Sequence, residues 1–246
     1  MHCNLPYNGL MQEFLYIFGH GFCHQIPERS LVAGDLYFPV CARDTGIYIG
    51  LAAAIIACFA VYARAHPKPG NLAPWPVLAG LCCMIVPMAF DGLSSYLGLR
   101  ETTNLIRYIT GLLTGVGAGT VFAPLLLALR QDADPAARAF AAAPQLAAQL
   151  LLALGLGAAF YLTYPLLGAV ATMVPVLSLL LAGVSLSLLI LGQNQRFAPH
   201  GQPRRWLVAV LISLLIVLAV VLAFALLRYL LLDRWLGDSS LWLQLS

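Results

Sequence analysis

The sequence predicts an all-α fold: a polytopic membrane helix bundle of about six transmembrane helices, with an N-terminal interfacial helix and loop. Hydrophobic residues make up 61% of the 246 residues and charged residues only 9%, and the mean hydropathy is +0.87. A water-soluble fold would need more polar surface than this. The formal charge of +3 comes from scattered arginines without a basic run. This distribution argues against nucleic acid as a partner.

Six stretches are long and apolar enough to cross about 30 Å of hydrocarbon at about 1.5 Å per residue. They are residues 46–65, 74–90, 105–129, 140–166, 167–191 and 206–232. Polar connectors rich in turn-forming residues precede the second and the sixth stretch. The fourth and fifth stretches meet near Tyr164-Pro165. That junction fits either a tight turn or a kinked helix followed by a re-entrant segment.

The first 45 residues contain no apolar run of spanning length, but their apolar residues recur at helical spacing. This pattern predicts an amphipathic helix that lies in the membrane interface. Its apolar residues are Leu10, Phe14, Ile17, Phe18 and Phe22. An irregular loop is expected to follow. The single transmembrane domain, 1–246, then divides into an interfacial prefix (1–45), a motif-bearing front half (46–130) and a packing half rich in Leu and Ala (131–246).

Candidate metal ligands are concentrated in the prefix. A helical backbone would place His20 and His24 on successive turns of one face, with Cys23 beside them. Cys41 and Asp44 form a C-x-x-D pair just before the first span. Imidazole, thiolate and carboxylate groups are zinc ligands, and two imidazoles, one thiolate and one carboxylate would complete a tetrahedral site. The sequence therefore predicts a metal site, with zinc as the ion, that takes its ligands from these five residues.

Two other interpretations of the same residues stay open. The histidines can be interfacial side chains whose polar ends are hydrated, and the cysteines can be thiols packed in the protein interior. Alternatively, Cys23 and Cys41 form a redox pair. Cys3 is the other cysteine outside the apolar runs, whereas Cys58, Cys82 and Cys83 are read as buried hydrophobic residues.

A second polar group lies in the loop expected at residues 91–104, between the second and third spans. If the chain is helical from Leu99 onward, Arg100, Asn104 and Arg107 form one polar stripe. The stripe continues as the glycines Gly111, Gly115 and Gly119. Small residues at this spacing allow a neighbouring helix or a ligand to approach the backbone closely.

Charges at membrane depth are costly unless they are paired or functional. One interpretation is an ion pair of Asp91 with Arg100 or Arg107 that pins the loop. The other is an anion pocket for a phosphate or carboxylate head group, in which Asp91 or Glu101 has a catalytic role, handling a proton or a metal. The predicted anion-binding residues are Arg29, Arg43, Arg100, Asn104 and Arg107.

An even number of spans places both polar groups on the same side of the membrane. Lys and Arg residues are divided almost equally between the two sides. Several on the motif-bearing side are candidate site residues, so the remaining excess lies opposite. Because cytoplasmic loops carry the excess of Lys and Arg, the motif-bearing face is predicted to be extracytoplasmic.

Several motifs together resemble the signature of an uncharacterised prokaryotic integral membrane protein family, a domain of unknown function. The motifs are CHQ-x-PERS at 23–30, CAR at 41–43, TGIY-x-G at 45–50, DG at 91–92, G-x-RE at 98–101 and TN-x-x-R-x-x-TG at 103–111. Members of that family carry C-x-x-C where this chain has C-x-x-D. The resemblance therefore implies a Cys-rich metal or dithiol site that is altered here, since Asp44 can bind a metal but cannot form a disulfide.

These observations predict a metal-assisted enzyme that acts on a membrane lipid or another amphipathic anion. A second hypothesis is a non-catalytic subunit or assembly factor of a larger membrane complex, in which the polar groups dock partner proteins. A thiol-redox membrane protein is the third. A transporter ranks lower because the spans lack charges along a continuous path.

Overall fold

The chain is seen in a computed structural model that describes residues 9–130, 132–192 and 203–230. Cys3, the connector at 193–202 and the last two residues of the predicted sixth span lie outside the described residues. The helices are α1 Leu10–His20, α2 Ala42–Val61, α3 Trp75–Cys82, α4 Val86–Tyr96, α5 Asn104–Ala128, α6 Ala143–Leu167, α7 Ala169–Gly192 and α8 Pro203–Arg228. In the described part of the chain, six helical segments are long and apolar enough to span a membrane, with α3 and α4 forming one of them. The predicted helical bundle is confirmed.

The second crossing is interrupted and extends further than the sequence predicts. A 3₁₀ turn, Cys83–Ile85, joins α3 to α4. Pro87 has no N–H to donate to the carbonyl four residues earlier, which explains the change of helix type. The prediction that Asp91 begins a loop is wrong, because α4 continues to Tyr96. The helix accommodates this carboxylate because arginines from two other parts of the chain neutralise it.

The junction of the fourth and fifth spans is a tight turn. Helix α6 ends at Leu167 and α7 begins at Ala169. The one residue between them, Gly168, has a φ of 53°. Such a backbone conformation is readily available only to glycine. The re-entrant alternative is therefore wrong.

The prefix contains a β-hairpin where an irregular loop is expected. Strand β1, Ser30–Ala33, pairs antiparallel with strand β2, Leu36–Cys41. Helix α1 packs against the hairpin, and the Tyr37 N–H donates to the Gln12 side-chain oxygen at 2.9 Å. The outward side of α1 keeps Leu10, Phe14 and Ile17 exposed. An exposed apolar face of this kind suits a helix in the membrane interface.

Helices α2 and α5 form the centre of the bundle and pack backbone to backbone. A Cβ atom added to Gly111 would lie 2.1 Å from the Arg43 carbonyl oxygen, and one added to Gly115 would lie 2.2 Å from that of Ile47. The predicted glycine face therefore receives a neighbouring helix. Because α2 carries Arg43 and Asp44 in its first turn, this contact fixes both relative to α5.

At the opposite end of the bundle, strand β3, Lys68–Asn71, pairs parallel with strand β4, Ala133–Arg138. The buried Lys68 ammonium group donates to the carbonyl oxygens of Tyr62 at 3.0 Å, Ala63 at 3.4 Å and Ala65 at 3.1 Å. These carbonyls follow the end of α2, where the regular helical hydrogen bonds stop; the Tyr62 oxygen also accepts from the Ala65 N–H at 3.2 Å. A cation in this position also offsets the negative end of the helix dipole.

Candidate functional site

Cys23, Cys41 and Asp44 converge on one point at the motif-bearing end of the bundle. Cys23 follows α1, Cys41 ends β2, and Asp44 lies in the first turn of α2. One ligand atom from each residue lies within 4.8 Å of the other two. The Cys41 N–H donates to the Cys23 sulfur at 3.2 Å, and the Cys41 thiol donates to Asp44 Oδ2 at 3.3 Å. The structure thus joins three of the five predicted metal ligands, from parts of the chain up to 21 residues apart.

Gln25 is the residue that folds the Cys23 segment back onto the hairpin. Its buried side-chain amide donates to the carbonyl oxygen of Tyr16 in α1 and to that of Pro39 in β2, both at 2.9 Å. Its φ of 53° reverses the chain direction directly after the Cys23 segment. Gln25 is absent from the predicted site residues. Its place in the CHQ motif is the one sequence signal that points to it.

The two thiols differ in acidity because they share hydrogen bonds. The pKa of Cys23 is lowered, chiefly by a hydrogen bond with the Cys41 side chain, although burial acts in the opposite direction. The pKa of Cys41 is raised by the same contact and by burial. Because the thiolate is the form that binds metals, Cys23 is the first of the pair able to do so.

The two histidines are placed differently from the expectation for a helical segment. Helix α1 ends at His20, so His24 lies beyond the helix and the two do not share one helical face. Among the described residues, the group of converging ligands contains neither of them. The His20 ring lies 5.3 Å from that of Tyr16. His24 lies at the surface. The partial loss of its hydration, together with the charges of Arg228 and Arg29, lowers its pKa. Metal binding by His20 and His24 stays a prediction.

Asp91 is almost completely buried, at 1% exposure, and is the centre of the second polar group. Its two carboxylate oxygens form ion pairs with Arg43 and Arg100, and the Thr102 hydroxyl donates to Oδ1 at 2.7 Å. The ion pair with Arg100 agrees with one of the two interpretations of the sequence, whereas the second partner is Arg43 and not Arg107. Arg43 lies between Cys41 and Asp44 in sequence, so the ion pair connects the two predicted groups.

The polar stripe predicted from Leu99 onward is only partly formed. Helix α5 begins at Asn104, where the Thr103 hydroxyl accepts a hydrogen bond from the Ile106 N–H at 3.3 Å. Arg100 therefore precedes the helix and turns back toward α4, donating to the Ser94 hydroxyl at 3.1 Å. The prediction that Arg100 shares a helical stripe with Asn104 and Arg107 is wrong. The capping threonine starts the helix later than expected.

Asn104 links the prefix to α5 by hydrogen bonds. Its amide donates to the carbonyl oxygens of Glu28 and Ser30 at 3.2 Å each, and its side-chain oxygen accepts from Arg107 at 3.2 Å. Arg107 lies within electrostatic reach of Arg29, Arg43, Cys41 and Asp91. Arg29 is exposed at the end of a second 3₁₀ turn, Pro27–Arg29, and Glu101 is exposed between α4 and α5. Catalysis by Asp91 or Glu101 and anion binding by the arginines and Asn104 stay predictions.

Comparison with known proteins matches the part of the chain that forms this site. The model of a family described as predicted membrane protein, DUF2085, matches residues 23–121. An uncharacterised protein of Methanothermobacter thermautotrophicus is 37% identical over 95 residues, which cover 39% of this chain and 78% of the relative. One of Methanocaldococcus jannaschii is 37% identical over 93 residues, which cover 38% of this chain and 56% of the relative. No solved structure matches.

The matched segment begins at Cys23 and contains Cys41, Asp44 and Asp91, while α6, α7 and α8 lie outside it. The resemblance inferred from the motifs is therefore confirmed. This chain is a multi-pass membrane protein and belongs to the DUF2085 family of predicted membrane proteins.

Proposed function

We propose that Cys23, Cys41 and Asp44 bind a zinc-type metal ion at one membrane face, and that the ion assists a reaction on an anionic, amphipathic substrate. The observation that carries the proposal is the convergence of two sulfurs and a carboxylate within 4.8 Å. In a tetrahedral zinc site with Zn–S bonds of about 2.3 Å, ligand atoms lie roughly 3.8 Å apart. Only a small inward movement of these side chains is needed to reach that spacing.

Three ligands converge among the described residues, and this number favours a catalytic over a purely structural centre. Structural zinc sites use four protein ligands, whereas catalytic sites use three and leave one position for water or substrate. Asp44 also distinguishes the site from a simple dithiol, because a carboxylate has no part in disulfide exchange. Zinc bound here would supply Lewis acidity to a substrate oxygen or lower the pKa of a bound water.

The neighbouring arginines support an anionic substrate. Asp91 carries one negative charge and binds both Arg43 and Arg100, so it neutralises only one of these two guanidinium charges. Arg107, within electrostatic reach of Cys41, and the exposed Arg29 add positive charge at the same end of the bundle. Guanidinium groups bind carboxylates and phosphates through paired hydrogen bonds. We propose that this face is extracytoplasmic, since the opposite end carries most of the remaining Lys and Arg.

Metal analysis of the protein purified in mild detergent tests the proposed centre. We expect about one equivalent of zinc per chain, as a single tetrahedral site requires. Replacing Cys23 or Cys41 with serine should remove most of it, because each change deletes a thiolate ligand. Asp44→Asn should weaken binding less, since the amide oxygen is still a possible, though poorer, ligand. Cobalt substitution should give a thiolate-to-cobalt charge-transfer band that either cysteine variant reduces.

Cys82→Ser is the matched control, because Cys82 lies in α3 away from the site and is exposed, contrary to the burial expected from the sequence. It should retain the metal content of the unchanged protein. The proposal is refuted if the purified protein holds no metal, takes none up on titration, and shows the same result in all variants. A protein without metal whose Cys23 and Cys41 readily form a disulfide would instead support the thiol-redox function.

Binding to lipid vesicles tests the anionic substrate. Vesicles containing phosphatidylglycerol should protect Arg29 and Arg107 from a guanidinium-modifying reagent, whereas vesicles of phosphatidylcholine alone should not. Arg107→Gln should weaken the binding of a soluble anionic lipid roughly tenfold, the effect of losing one charged hydrogen bond. Arg138→Gln, at an exposed position of β4 at the opposite end, should leave it unchanged.

Inorganic phosphate separates the two sources of the anion. Competition by phosphate alone at low concentration would identify a free anion as the ligand, and competition only by whole lipid would identify a head group. Equal binding by Arg107→Gln and Arg138→Gln would contradict an anion site at this face.

A further inference from the structure

The end of α8 contacts the segment that carries Cys23. Arg228, the last residue of α8, donates from one guanidinium nitrogen to the carbonyl oxygens of His20 at 2.6 Å and Cys23 at 2.5 Å. His20 ends α1, where carbonyl groups have no partner within the helix. A cation in this position also offsets the negative end of the helix dipole. A single side chain thus holds both the end of α1 and the backbone of Cys23.

Close packing extends from Arg228 along the contact between α8 and the segment of α1 and Cys23. A Cβ atom added to Gly21 would lie 2.9 Å from the backbone nitrogen of Ala225, so the α1 end and α8 touch through their backbones. The rings of Phe22 and Phe224 have centroids 5.9 Å apart. Further along the same contact, Leu15 and Phe18 of α1 form a buried cluster with residues of α7 and α8. The Cys23 segment therefore lies directly against the last described helix.

We infer that Arg228 is a positioning residue for Cys23, and that α8 is part of the site's supporting structure. The inference rests on the proposed metal centre for its functional meaning. Arg228 touches no ligand atom and acts through the Cys23 carbonyl, which fixes where the sulfur points. The matched family segment ends at residue 121, so this support comes from outside it. The sequence-based division into a working front half and a packing back half does not include such a role.

The planar guanidinium group explains why arginine suits this position. It reaches two carbonyl oxygens in a fixed geometry, whereas the lysine ammonium is a point charge on a flexible stem. Methionine keeps an apolar stem of similar length but has no N–H donor. Outer residues that orient a metal ligand typically change metal affinity by about 10–100-fold when replaced.

The test compares Arg228→Met and Arg228→Lys with the unchanged full-length protein in mild detergent. Cobalt titration should show an affinity about 10–100-fold lower for Arg228→Met. Arg228→Lys should recover part of that loss because it restores a donor and the charge. In metal-free protein, alkylation of Cys23, followed by peptide mass spectrometry, should be several-fold faster in Arg228→Met relative to Cys41 of the same chain. Arg205→Met, at an exposed position near the other end of α8, should behave as the unchanged protein.

The two readouts separate the inference from the proposed function. Faster Cys23 alkylation in Arg228→Met, in a protein that binds no cobalt in any form, would support the positioning role and refute the metal centre. Unchanged cobalt affinity and unchanged Cys23 alkylation would overturn the inference even if the metal centre is confirmed. Should Arg228→Met fail to fold, Arg228→Lys decides by the same two measurements. Full cobalt affinity and an unchanged Cys23 rate in that variant would then count against the inference, because the planar, fixed N–H donors of the guanidinium group are lost there.

Discussion

Replacing Gly115 with alanine is expected to lower the unfolding temperature of the detergent-solubilised protein by roughly 6–12 °C. The new methyl group would lie 2.2 Å from the Ile47 carbonyl oxygen, well inside van der Waals contact. The obstacle is backbone, so α2 and α5 must separate. We place the cost at the upper end of the roughly 1–3 kcal/mol that overpacking causes. Each kcal/mol lowers Tm by about 2–4 °C in a chain of this size.

Gly155→Ala is the matched control for this prediction. Gly155 lies in α6, and a Cβ atom added there meets no heavy atom within 4 Å. Alanine is a better helix former than glycine by about 0.5–1 kcal/mol, so the control should unfold at the same or a slightly higher temperature. Equal Tm values for the two variants would show that α2 and α5 are not in backbone contact at Gly115.

The second large effect is expected for Asp91→Asn. This change removes the charge that faces both Arg43 and Arg100 and leaves two guanidinium groups against a buried amide. Breaking a fully buried ion pair costs about 3–5 kcal/mol. Because Arg43 and Arg100 are 25% and 37% exposed, water offsets part of the loss. We therefore expect a loss of roughly 2–4 kcal/mol, measured as a lower unfolding temperature or denaturant midpoint.

A double-mutant cycle with Arg43→Gln isolates the ion pair. Arg43→Gln should cost clearly less in the Asp91→Asn background than in the unchanged protein, since its partner has already gone. Asp134→Asn is the control, because Asp134 lies at the opposite end and, among the described contacts, its carboxylate accepts a hydrogen bond only from its near neighbour Ala136. Strict additivity of the Arg43 and Asp91 changes would contradict the pairing.

The spans could be predicted from the sequence because their information is local. A bilayer-length apolar run fixes a helix whatever its neighbours are, and the six predicted stretches match six helical segments. The predictions are wrong where a contact with a residue distant in the sequence overrides the local sequence pattern. The sequence predicts that the second span ends before Asp91, because placing an unpaired carboxylate in hydrocarbon is unfavourable in free energy. Its partner Arg43 lies 48 residues away, so the pattern around Asp91 could not reveal the pairing.

The candidate site shows the same limit. The sequence of the prefix shows which Cys, His and Asp side chains are available as ligands. Which of them converge depends on where α1 ends and on the hairpin that follows. His20 and His24 have ideal helical spacing, yet α1 stops at His20. Gln25 and Arg228 position the Cys23 segment through backbone carbonyl oxygens, which every residue possesses. No pattern of residue types marks the acceptor in such a contact.

The buried Lys68 ammonium group limits how far α2 can move. It donates hydrogen bonds to several carbonyl oxygens that follow the carboxyl end of α2. Asp44 lies in the first turn of the same helix, at its amino end. Sliding α2 along its axis would remove those acceptors from the ammonium group, whose side chain is only 7% exposed. Any movement at the end that carries Cys23, Cys41 and Asp44 is therefore expected in the loops and the hairpin, while α2 keeps its position along the bundle axis.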